Sequence, residues 1–222
     1  MTLFDLPLPE HNTRLGFHYY PDEQHYRAPD LQEWLPRLKA LGASWLTLRG
    51  SMERAIPEAF LSGLIDAGIE PIVHVPALPI QAVDLDTLGS LARVYAGWGV
   101  HYLVLYDRPN VRESWPEGMF DRSDLVDHFL NLWLPAARII NETGLNPILP
   151  PLEQGGTYWD TSFLSAILDG MNIQANDTDA SEYVQPLLDK LLLAAYAFAG
   201  PHPPDWGRGG RNAWPNSQPY LT

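Results

Sequence analysis

The feature that most constrains the fold is an alternation. Short β-type runs and longer helix-type runs follow one another from residue 15 to residue 198, and a glycine stands after nearly every helical run. Six strand-like runs are read, over residues 15–20, 44–49, 70–75, 101–106, 146–150 and 191–198. Several are continuously apolar, as befits strands covered on both faces of a parallel sheet. The helical runs carry start and stop signals. Asp30 precedes a run closing at Gly42, and Pro57 opens one closing at Gly68. Residues 86–98 close at Gly99, and residues 123–143 close at Gly144 with Pro135 inside, where a kink is expected. A fifth helix is expected over 161–168 with Gly170 as its stop. A polar insertion over 171–181 and a short helix over 184–190 follow it.

Strand, helix and glycine stop recurring at roughly 30-residue spacing is the pattern of a doubly wound sheet or of a barrel. No glycine-rich phosphate loop follows the first strand, where aromatic and imidazole groups stand instead, and polar residues sit at the C-terminal end of almost every strand. The expected fold class is therefore α/β, a TIM (β/α)8-type barrel with about six of its eight units present, as a truncated chain or fragment. The alternative is a self-contained six-stranded α/β domain. The expected organisation is an N-terminal extension over 1–14, a partial barrel over 15–198, and a long Pro/Gly-rich loop over 199–222 that continues beyond the chain end.

Composition narrows the function. With 14 Lys+Arg against 27 Asp+Glu the formal charge is −13, and no basic patch overrides it, so nucleic acid is not an expected partner. The absence of cysteine excludes disulfides, thiolate metal sites and a cysteine nucleophile. No apolar run reaches the ~20 residues of a membrane span. Residues 1–14 lack the pattern of a secretion signal, which leaves a cytoplasmic location by default. No HxH or HExxH spacing suggests a metal, and no GxGxxG, Walker loop or GxSxG elbow suggests a cofactor or a serine nucleophile, so neither metal nor cofactor is expected.

Barrel sites are built where strands end. The side chains there are His18, Tyr20 and Asp22 after the first strand, Arg49 and Glu53 after the second, and His74 after the third. Asp107, Arg108 and Asn110 follow the fourth, Glu153 and Gln154 the fifth, and Tyr196, His202 and Trp206 belong to the sixth and its loop. Rings beside carboxylates, Arg and Asn suit a sugar, whose C–H faces stack and whose hydroxyls need hydrogen bonds. The expected substrate contacts are His18, Tyr20, Arg49, His74, Arg108, Asn110, Tyr196, His202 and Trp206. Asp107 and Glu153 are the candidate catalytic carboxylates.

The stretch YDRPNVRESW, residues 106–115, resembles the strand-four motif of clan A glycoside hydrolases, in which Asn-Glu-Pro presents the acid/base glutamate. Arg49, His74 and Tyr196 agree with that family's strand-end positions. The resemblance implies a carbohydrate ligand, but aligned on Pro109 and Asn110 it sets Asp107 at the family's Asn and Arg108 at its acid/base Glu. A guanidinium has no acceptor lone pair and a pKa above ~12, so it cannot act as that acid. The family's nucleophile lies at the end of a seventh strand, beyond the six read here. The expected function is carbohydrate recognition without hydrolysis by the family mechanism. Two alternatives stand beside it: an active glycosidase when complete, with Asp107 or Glu153 as a relocated acid, and a structural or protein-binding barrel. Asp107 can equally be an ion-pair partner for Arg108 or Arg112. Unpaired sheet edges on the first and sixth strands imply self-association.

Overall fold

The structure, a computed structural model, describes residues 6–177 and 180–196. Its elements are β1 (Gly16–His18), α1 (Ala28–Ala40), β2 (Trp45–Arg49), α2 (Glu58–Asp66), β3 (Glu70–Val75), α3 (Leu85–Gly97), β4 (Tyr102–Leu105), α4 (Leu125–Glu142), β5 (Asn146–Leu152), α5 (Asp160–Ala175), α6 (Ser181–Asp189) and β6 (Leu192–Ala195). All strand pairs are parallel, and the order across the sheet is β1-β2-β3-β4-β5-β6. A doubly wound sheet reverses its strand order at a switch point. This one does not, and its six strands form a half-barrel of the TIM type with the helices outside.

The period of two along each strand divides the apolar residues between two layers. Leu46, Leu48, Val73, Val75, Leu103, Leu105 and Leu149 face the helices and pack with Leu61, Leu64, Leu88, Leu130 and Leu134. Trp45, Ile72, Tyr102, Val104, Ile148, Leu192 and Ala194 form a separate cluster, which is the concave face of the half-barrel. Gly16 shares that face. A Cβ on it would stand 2.9 Å from the Cβ of Trp45, its register partner, so β1 approaches β2 there only because the residue is glycine.

Gly42, Gly68, Gly99 and Gly144 end α1, α2, α3 and α4 with φ between +73° and +93°. These are left-handed positions that a glycine adopts without strain. Gly170 does not end α5. Phe163, Ile167 and Met171 form one buried stripe at four-residue spacing, and the helix runs on to Ala175. A Cβ on Gly170 would lie 2.5 Å from Leu130 Cδ1 of α4, so this glycine permits close helix packing rather than a stop. The expected insertion over 171–181 shrinks accordingly.

Helix α1 begins at Ala28, ahead of Asp30, because Pro29 fits its first turn and the Asp30 carboxylate reaches back to accept the Arg27 backbone N–H at 2.9 Å. Strand β1 is shorter than expected, ending at His18 with one last bond from the Tyr19 N–H to the Thr47 carbonyl at 2.9 Å, and β5 is longer by two residues. The end of the sixth strand run, the loop over 199–222, His202 and Trp206 lie outside the described residues.

The segment ahead of β1 crosses the N-terminal end of the concave face. Trp45 Nε1 donates to Asn12 Oδ1 at 2.9 Å, Thr13 Oγ1 to the Gly42 carbonyl at 2.6 Å, and the Tyr102 hydroxyl to the Pro7 carbonyl. Beside them His101 Nδ1 lies 2.9 Å from Glu70 Oε1. Burial pushes the Glu70 carboxyl up from its ordinary range, and its contact with His101 opposes that shift. This end is a closed floor, which leaves the C-terminal ends of the strands as the mouth.

Candidate functional site at the strand ends

Strand alternation sets His18, Arg49 and His74 on the concave face, in step with Gly16, Trp45 and Ile72, at the mouth of the half-barrel. On β4 the alternation breaks. Tyr106 has φ +73°, and its ring is fully buried, with the hydroxyl donating to the Gln81 carbonyl at 2.8 Å and the ring edge-on to Phe129. Asp107 takes the mouth position in its stead. Arg108 is left-handed as well, at φ +47°, and its backbone N–H donates to the Pro151 carbonyl at 3.0 Å. Two such non-glycine residues flanking one carboxylate each cost of the order of 1 kcal/mol or more, and strain of this kind gathers at functional sites.

The side chains from β4, β5 and β6 then join. Arg108 Nε donates to Asp107 Oδ2 at 3.1 Å and its terminal nitrogen to Glu153 Oε2 at 2.8 Å, while the Tyr196 hydroxyl donates to Asp107 Oδ1 at 3.0 Å. The ion-pair reading of Asp107 holds for Arg108. Arg112 pairs elsewhere, with Asp121 at 2.6 Å. The bond to Glu153, joined by the charge of Asp107, raises the Arg108 pKa, so the guanidinium stays charged at any working pH. Burial first, and then the Asp107 charge, pushes the Tyr196 phenol up to about 12, which keeps its proton in place as the donor to Asp107.

On the β1–β3 side, His74 Nε2 lies 2.8 Å from the Tyr106 carbonyl, which can only accept, so Nε2 carries a hydrogen. Burial lowers the His74 pKa below its ordinary 6.5, leaving a neutral ring with Nδ1 as an acceptor. The register sets Arg49 directly beside His74 and His18 one strand further on, and the charge of Asp107 reaches the same ring from β4.

Other expected contacts are placed differently. Asn110 is fully buried and ties two loops together: its Nδ2 donates to the Glu153 and Tyr158 carbonyls at 2.8 and 3.0 Å, and its Oδ1 accepts the Glu153 N–H at 2.9 Å. With its amide engaged in this way it is a clamp beneath the rim rather than a ligand contact. Tyr20 stacks on His25 at 3.9 Å between centroids, and Asp22 pairs with His25 Nδ1 at 2.8 Å, so the loop after β1 satisfies itself. Glu53 and Gln154 are exposed. The sequence reading missed the left-handed turn at Tyr106 and the role of Gly156, where a Cβ would meet Asn110 Nδ2 at 2.4 Å. The Gly155-Gly156 pair in the loop after β5 is the signal that marked this close approach. Among the described residues no group of three His, Asp or Glu could hold a metal ion.

No protein-family model matches the chain, and no curated protein matches it. Its likeness is to solved structures. One is a D-allulose 3-epimerase from Methylomonas sp., 13% identical, with a TM-score of 0.52 over 91% of this chain and 79% of that one. At that identity the likeness is one of fold. It agrees with the sequential parallel order in identifying a TIM-type β/α fold.

Proposed function

We propose that the mouth is a carbohydrate-binding site of a glycoside hydrolase-like barrel, one that recognises sugar without hydrolysing it by the clan A acid/base mechanism. The observation that carries this reading is the pairing of Arg108, which the motif resemblance aligns with the acid/base position, with both nearby carboxylates, Asp107 and Glu153. One oxygen of each carboxylate is committed to a permanently charged guanidinium, which favours holding and orienting over proton transfer. What the mouth offers a sugar is a set of complementary groups: Glu153 Oε1, the lone pairs left on the Asp107 oxygens and His74 Nδ1 to accept from hydroxyls, and Arg49 and His18 to donate to them. That a protein of similar fold acts on D-allulose supports the ligand class.

The test is a titration of the protein with neutral mono- and oligosaccharides by calorimetry, alongside a screen for turnover of aryl glycosides. Binding without turnover, weakened by Arg108→Met, is the expected result. Turnover abolished by Asp107→Asn or Glu153→Gln would establish a relocated acid and overturn the non-hydrolytic reading. Absence of binding to every sugar would overturn carbohydrate recognition.

A further inference from the structure

We infer that the ligand of this mouth is a sugar acid, a uronate or aldonate, whose carboxylate docks on Arg49 with His18 beside it. This rests on the carbohydrate reading above and narrows it. The chain holds about two acidic residues for each basic one, and six of its ten described arginines, Arg27, Arg37, Arg108, Arg112, Arg122 and Arg138, have a carboxylate within 3.5 Å, while Arg14, Arg54 and Arg93 lie away from the mouth without one. The Arg49 guanidinium makes no hydrogen bond or ion pair with any described residue, although it stands at the end of β2, between the histidine-bearing strands β1 and β3. Its backbone carbonyl, by contrast, is fixed by the Tyr26 hydroxyl at 2.7 Å, which anchors the strand end that presents it. An anchored, exposed, unpaired arginine facing a concave site is pre-organised for a planar anion, which its forked donors can grip at two points.

The charge of the mouth selects the anion. Asp107 and Glu153 outweigh Arg108 by one negative charge on the β4–β6 side, and His74 is neutral, so among the described residues Arg49 is the arginine at the mouth, on the β1–β3 side, whose charge no carboxylate offsets. A monoanionic carboxylate matches that cation and leaves the hydroxyls of the same molecule to reach Asp107, Glu153 and His74. A dianionic phosphate would carry a second charge toward the two carboxylates. The overall charge of −13 does not forbid an anion here, because near-physiological salt screens charges beyond about 8 Å while a contact pair at Arg49 is not screened.

Calorimetric titration of the full chain with D-glucuronate and D-gluconate, set against D-glucose, D-glucitol, glucose 6-phosphate and inorganic phosphate, tests the assignment. The sugar acids should bind about tenfold or more tightly than their neutral counterparts. Arg49→Gln should remove that preference, weakening the sugar acids more than it weakens the neutral sugars, and Arg49→Lys should restore part of it. Circular dichroism and a thermal melt check that each variant folds. Equal binding of acid and neutral sugars would overturn the carboxylate inference and leave carbohydrate recognition standing. Binding of none of them overturns both. A tighter, Arg49-dependent phosphate or phosphate ester would overturn the choice of monoanion, and an acid preference that survives Arg49→Gln would overturn Arg49 as the anchor.

Discussion

Asn110 and His74 look alike in the sequence, as polar residues near strand ends, and the structure gives them opposite duties. Replacing Asn110 by Ala leaves the Glu153 N–H and the Glu153 and Tyr158 carbonyls without their partner in a buried place, which should lower stability by about 2–4 kcal/mol in urea denaturation. Gly156→Ala should destabilise by the same clash read from the other side. His74 faces the mouth, and its folded pKa lies below its ordinary 6.5. The unfolded chain therefore binds more protons there. The stability that His74 contributes is complete above 6.5 and is lost as pH falls through the lowered folded value. His74→Gln should flatten the pH dependence of the melting temperature in the window just below 6.5, and an unchanged slope would mean that the ring is not buried as a neutral group. At this scale the sequence disclosed identity and strand-end position, as for Arg108 and Asp107. It did not disclose direction. Tyr106 leaves the mouth to Asp107 through a left-handed residue that no side-chain preference announces.

The elements followed from period and punctuation wherever the punctuation was local. Four glycines end helices because a left-handed φ is needed after the last turn, a requirement the chain states residue by residue. Gly170 fails as a stop because its reason is tertiary: Leu130 of the neighbouring helix occupies the space of its missing Cβ. The continuation of α5 past that glycine is testable. Met171 is fully buried and Ile173 is 72% exposed, two residues apart on one helix. Met171→Ala should cost about 2–5 kcal/mol and Ile173→Ala within about 0.5 kcal/mol, measured by denaturant midpoint. Equal small effects would mean that the helix ends at Gly170.

For the whole molecule, the concave face needs a floor, and the segment ahead of β1 supplies it through Asn12, Thr13 and the Pro7 carbonyl. The combined change Asn12→Ala and Tyr102→Phe removes two of those ties and should lower stability by about 2 kcal/mol, with amide exchange rising first over residues 6–15 and later in β4. Exchange rising equally in both would mean that the floor and the sheet open as one unit. The sequence alone determined the repeating unit, its parallel strands and the polar residues at their C-terminal ends, because hydrophobic period and helix punctuation are properties of a few adjacent residues. Only the tertiary structure decided that Arg108 bridges Asp107 and Glu153 across two strands, that Asn110 turns inward, and that the Arg49 guanidinium has no partner among the described residues. Those outcomes depend on which side chains arrive together from segments tens of residues apart, and no local pattern records that meeting.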